Sequence, residues 1–171
     1  MKTSARAAAL LAVALLALPA PARAQKAIFV VRHAEKISET DERLSDAGRA
    51  RAGRLAQMLK DSGVTAIYAT DTERTRGTVE PLAAALGLKV AIYDTGATMA
   101  GKVDARPFAA KLRKENADGV VLIAGHSNTI PDLLKALGGP DALSIASGEY
   151  DNLFVVVPKA DGTATLVRLR Y

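Results

Sequence analysis

Ile28-Phe29-Val30-Val31-Arg32-His33-Ala34-Glu35-Lys36 is the stretch around which the chain is organised. A short apolar run rich in β-branched residues that stops at charge has the pattern of a buried strand. Arg32 and His33 then stand at its C-terminal end, where open α/β sheets bind their ligands. A second stretch repeats the design: Val120-Val121-Leu122-Ile123-Ala124-Gly125-His126-Ser127-Asn128-Thr129. The chain has two histidines, and each follows a buried-strand pattern.

Working outward, the spacing predicts strands at 27–31, 64–69, 88–93 and 119–124 and helices at 46–60, 72–86, 104–116 and 129–137. Ser45 is the expected N-cap of the first helix, with Asp46 in its first turn. Pro81 marks a bend or a later start in the second helix. Two last strands, 153–157 and 165–169, are joined through Asp161-Gly162, a hairpin signal. Strand and helix alternate four times before the hairpin. That order predicts a three-layer α/β/α sandwich with a mostly parallel central sheet and an antiparallel C-terminal hairpin. The all-apolar 119–124 strand belongs at its centre.

The first residues have the form of a signal peptide. Lys2 and Arg6 form a basic start, 7–18 an apolar core too short to span a bilayer, and Ala22-Arg23-Ala24 a small-x-small cleavage site. The domains expected are therefore a signal peptide, 1–24, and one catalytic domain, 25–171, in the periplasm or secreted, with no membrane attachment after cleavage. Of the 23 Lys and Arg residues, Lys2, Arg6 and Arg23 leave with the signal, while all 18 Asp and Glu residues stay. The mature net charge is then +2, and no basic stripe interleaved with aromatics suggests nucleic acid. The absence of cysteine excludes disulfides, a thiolate nucleophile, a Cys-based zinc site and a lipidated N-terminus. No apolar seam calls for a partner subunit, so a monomer is expected.

Three predicted strands deliver polar residues to the same side of the sheet: Arg32 and His33, Thr70 leading to Arg74 and Arg76, and His126 with Ser127, Asn128 and Thr129. Two imidazoles and two guanidiniums in one cleft suit a phosphoryl dianion, because arginine's planar fork matches phosphate oxygens. Backbone N–H groups at a helix start near Asn128 would add anion affinity. Arg76, two positions beyond Arg74, should point elsewhere. Two histidines without a third ligand, among arginines, argue against a metal, and no cofactor is implied. With no cysteine, the nucleophile for a phosphoryl group is expected among Ser, Thr and His.

Four segments together resemble the histidine phosphatase (phosphoglycerate mutase-like) superfamily. Arg32-His33-Ala34-Glu35 is similar to its RHG-type signature. Leu44-Ser45-x-x-Gly48-x-x-Arg51-Ala52 is similar to its L-[ST]-x-x-G-x-x-[RQ]-A segment. Thr70-x-x-x-Arg74-Thr75-x-x-Thr78 is similar to S-x-x-x-R-A-x-x-T, and Gly125-His126-Ser127 to GH[SG]. Tyr150-Asp151-Asn152-Leu153 resembles the segment before the family's last strands. The resemblance implies His33 as nucleophile and Arg32, Arg74 and His126 as the phosphate pocket. It implies a phosphatase acting on a small phosphomonoester or phosphoramidate through a phosphohistidine. The alternatives are a phosphoglycerate-type mutase, or a non-catalytic phosphate-binding module with the same pocket. Ala34 and Thr70 stand where the family usually has Gly and Ser. Where the acid-phosphatase branch has Asp after the second histidine, this chain has Ser127. The family's proton donor is left among Asp94, Asp104 and Glu149. Loops 94–102 and 138–150 are expected to wall the pocket.

Overall fold

The computed structural model describes residues 26–97 and 103–171, so the segment expected to be a signal peptide and part of the 94–102 loop lie outside the described residues. Six strands, β1 (Ala27–Arg32), β2 (Val64–Ala69), β3 (Val90–Ile92), β4 (Val120–Gly125), β5 (Asn152–Pro158) and β6 (Ala164–Arg170), form one sheet. Its order is β3-β2-β4-β1-β5-β6. The first four pair in parallel, while β5 runs antiparallel to β1, and β6 to β5. Four helices cover the faces: α1 (Asp46–Leu59), α2 (Glu73–Leu86), α3 (Arg106–Glu115) and α4 (Ile130–Ala136).

Alternation along the strands divides the core into two layers. Ile28, Val30, Val121, Ile123 and Phe154 pack with Phe108, Leu112, Ile130 and Leu134 under α3 and α4. Val31, Ile67, Leu122 and Leu153 pack with Leu55, Leu59, Val79 and Leu82 under α1 and α2. β4, between β1 and β2, is buried at all six positions, as a strand covered on both faces must be. The three-layer sandwich is the architecture read from the sequence.

Three local differences have physical causes. β3 is shorter than its apolar run because it is an edge strand with one neighbour, although the Tyr93 N–H still reaches Ala69 O at 3.0 Å. α2 starts at Glu73 and runs through Pro81 to Gly87, whose left-handed φ of 65° ends it. α4 starts at Ile130, not at Asn128 or Thr129. The N–H groups of Thr129 and Ile130 turn back to His126 O at 3.1 and 3.0 Å, so the expected anion-binding helix start at Asn128 is absent.

α1 is fixed to the loop after β1. Ser45 caps it by accepting the Gly48 N–H at 3.1 Å, and Ser45 N–H also donates to Glu35 O at 2.9 Å. A side chain at Gly48 would begin 2.1 Å from that same Glu35 oxygen. Arg51, one turn on, grips the Glu35 carboxylate through Nε and Nη2 at 2.7–3.0 Å. The Leu-Ser-x-x-Gly-x-x-Arg spacing is thus a docking device for the two residues after His33.

Candidate active site

β1 and β4 are adjacent and parallel, with Arg32 opposite Gly125. The residues that follow each strand are therefore neighbours, and the His33 and His126 rings stand 5.4 Å apart, centre to centre. β2 on the other side of β4 brings Thr70 and the first turn of α2. Arg74 Nη2 comes within 3.4 Å of His126 Nδ1. Both histidines and Arg74 line one open cavity of about 650 Å³, with Asp94, Ser127 and Asn128 on its walls. Arg76 turns away to Asp71.

Hydrogen bonds assign both tautomers. His33 Nδ1 lies 2.8 Å from Ala34 O, which can only accept, so Nδ1 carries the proton and Nε2 the lone pair. Ala34 is itself held, its N–H donating to Thr78 Oγ1 at 2.8 Å. His126 Nδ1 faces a guanidinium, which can only donate, so its proton is on Nε2 and points to Thr70 Oγ1 at 2.8 Å. Thr70 passes the chain on to Thr75 Oγ1 at 3.0 Å. Burial is the main reason that both rings lose protons easily, each at about 4 against an ordinary 6.5. At His33 the Ala34 carbonyl opposes burial, while Arg32, His126 and Arg74 reinforce it. At His126, Arg74 and Arg32 reinforce burial and the Glu42 charge opposes it. Both imidazoles are neutral at pH 7.

Arg32 is 6% exposed and belongs to the 138–150 loop as much as to β1. Its Nη1 donates to Ala146 O (3.0 Å) and Ser147 O (2.7 Å), and its guanidinium carbon lies 4.1 Å from the Tyr150 ring centre. The Nε atoms of Arg32 and Arg74 are buried and unpartnered among the described residues. Tyr150 also meets the His33 ring edgewise at 5.8 Å. Sequence reasoning gave Tyr150 no role, although it opens the Tyr150-Asp151-Asn152-Leu153 segment, which was the available signal. Glu42, whose carboxylate pairs with Arg74 Nη1, had no signal at all.

The three candidate acids separate. Asp94 lines the cavity, with Oδ1 accepting the Gly96 N–H at 2.9 Å. The Asp104 carboxylate pairs with Arg106, and Asp104 is not on the cavity's wall. Glu149 is clasped by Arg168 and Arg170; Arg170 first, with the Ala146 N–H, holds its carboxyl down at about 2. A carboxyl so held has no proton to give near neutral pH.

Residues 28–95 match the family model described as histidine phosphatase superfamily (branch 1). A protein named as probable phosphoglycerate mutase GpmB, from Erwinia tasmaniensis, is 32% identical over a segment that is 38% of this chain. This chain spans about a third (34%) of the length of that curated relative. Among solved structures, the protein histidine phosphatase SixA complexed with tungstate superposes with a TM-score of 0.65 at 17% identity, over 84% of this chain and 96% of that one. A mycobacterial glucosyl-3-phosphoglycerate phosphatase complexed with VO3 gives 0.61 at 18% identity, over 85% and 98%. At such identity these two show a shared fold alone.

Proposed function

We propose that this chain is a phosphatase of the histidine phosphatase superfamily, hydrolysing a phosphomonoester or phosphoramidate through a phosphohistidine on His33. The observation that carries the reading is the His33 ring: Nδ1 is tied to Ala34 O, and the ring lines the cavity with Arg74 and His126. A neutral imidazole with one nitrogen locked is a nucleophile at the other. Arg74 on the cavity wall faces the phosphoryl oxygens, His126 steadies its guanidinium through Nδ1, and Arg32 adds positive charge from behind that wall. His33 Nε2 forms the bond to phosphorus as the bond to the leaving oxygen or nitrogen breaks, and its electron pair departs with that atom. Asp94, when protonated, supplies the leaving atom's proton. Water then attacks phosphorus, the P–N bond breaks, phosphate leaves, and the water's proton returns to Asp94. Directed N–H groups around the three phosphoryl oxygens supply most of the stabilisation.

Oxyanions named with two fold neighbours, tungstate and VO3, support a seat of this size. The mutase named among the relatives is the second reading, supported by sequence identity confined to about a third of that protein. Residues 1–24 support export, so the enzyme acts in the periplasm or outside the cell, as a monomer that needs no metal or cofactor. Turnover of p-nitrophenyl phosphate, its loss in His33→Ala, and an acid-labile phosphoprotein trapped from the wild type test the reading. Phosphate binding without turnover would leave a binding module instead. Mass measurement of the exported protein, expected to begin at Gln25, tests localisation.

A further inference from the structure

Glu42 sits on the 36–44 loop, which an isolated bridge between Lys36 and Leu44 and the Ile37 N–H on Arg43 O (2.9 Å) hold closed. Its carboxylate occupies Nη1 of Arg74, the arginine whose Nη2 faces His126. Arg74 lines the cavity, Glu42 is close enough for its charge to act on His126, and the Arg74 and Glu42 side chains are 18% and 44% exposed.

The charges around the seat, taken among the described residues, then cancel. Arg32 and Arg74 are positive, Glu42 is negative, and Asp94 is negative whenever it is not carrying the leaving group's proton. Asp71 on the cavity wall is matched by Arg76, and Glu39 on the same loop by Lys36. Both rings are neutral. One phosphoryl group can still be held by directed N–H groups. Among the described residues, a second anionic group beside it would find no uncommitted cation, and the Glu42 carboxylate on Arg74 would repel it.

On the phosphatase reading above, we propose that Glu42 sets the substrate class. It admits phosphoryl carriers whose remaining part is neutral or cationic, and turns away those with a second anionic group next to the phosphate. Like charges a few ångströms apart at a partly solvated site repel enough to change affinity by roughly tenfold.

The experiment compares purified wild-type protein with Glu42→Gln and Glu42→Ala on p-nitrophenyl phosphate, phosphoethanolamine and 3-phosphoglycerate. The wild type is expected to have its lowest kcat/KM on 3-phosphoglycerate, whose carboxylate lies two carbons from the phosphorylated carbon. Glu42→Gln keeps an oxygen for Arg74 and removes only the charge. It should raise 3-phosphoglycerate relative to phosphoethanolamine by about tenfold. If Glu42 merely braces Arg74, Glu42→Gln leaves the ratio unchanged and only Glu42→Ala loses rate, which overturns the proposal. A wild type that prefers 3-phosphoglycerate overturns it too. Calorimetric titration with inorganic phosphate and pyrophosphate judges Glu42 without turnover: pyrophosphate should gain about tenfold on phosphate in Glu42→Gln. Binding without turnover therefore removes the phosphatase reading while the affinity ratio still decides on Glu42. Neither binding nor turnover removes both.

Discussion

Replacing Gly48 by alanine sets two effects of opposite sign against each other. Inside a helix the exchange should stabilise by about 1 kcal/mol, because glycine loses more backbone freedom on folding. Here the new Cβ would begin 2.1 Å from Glu35 O and 3.1 Å from the Glu35 carbon and nitrogen. That is an overlap of more than an ångström with main chain, which cannot swing aside as a side-chain end can. Overpacking of this kind costs about 3 kcal/mol. The Ser45 N–H and hydroxyl bonds to the same carbonyl stretch as α1 retreats, at about 1 kcal/mol each. Strain wins, with a net loss of about 4 kcal/mol, or roughly 12 °C in melting temperature for a domain of this size. Gly53 is the control. It lies in the same helix with no neighbouring atom within 4 Å of its would-be Cβ. Gly53→Ala should gain up to about 1 kcal/mol and melt about 3 °C higher. Far-UV circular dichroism melts of the two variants decide it. Since Glu35 is two residues from His33, Gly48→Ala should also lose p-nitrophenyl phosphate turnover well below its melting point. A Gly48→Ala protein that melts at or above wild type, or two variants that shift together, refutes the argument.

Thr78→Val strands the buried Ala34 N–H and should destabilise by about 2 kcal/mol in a denaturant titration, with Thr78→Ser restoring most of it. Asp94→Asn should leave p-nitrophenyl phosphate turnover within a few-fold and slow an alkyl phosphate by roughly a hundredfold or more, because only the poor leaving group needs a proton; equal losses on both substrates would contradict Asp94 as the donor. Both rings titrate at about 4 in the folded chain against 6.5 ordinarily, so between those values the unfolded chain binds protons that the folded chain refuses. Stability is therefore full above about 6.5 and falls as the pH drops toward 4. Melts at pH 7.5 and pH 5 should show the drop, and a His33→Gln, His126→Gln double variant should flatten it.

The strand ends, the two histidines, Arg32 and Arg74 were legible because each lies within a few residues of a hydrophobic period that fixes its place. The parallel order of β1, β4 and β2 then brings them together without any long-range guess. Glu42 and Tyr150 were not legible. Their partners are 32 and 118 residues away in the chain, across loops that have no period. Choosing Asp94 over Asp104 and Glu149 needed the companions of all three carboxylates, since every one sits at a plausible distance along the sequence. The α4 start was misplaced for a similar reason: Ser127-Asn128-Thr129 has capping chemistry, but a turn closed on His126 O uses it first.

The separation of the two imidazoles is inherited from the ladder between β1 and β4. Neighbouring strands keep about 4.8 Å between them whatever side chains they bear. Point substitutions in the core cannot retune a gauge cut by main-chain hydrogen bonding. A catalyst for bulkier or differently charged molecules is best sought by exchanging the 36–44 and 93–97 segments, with the ladder left intact.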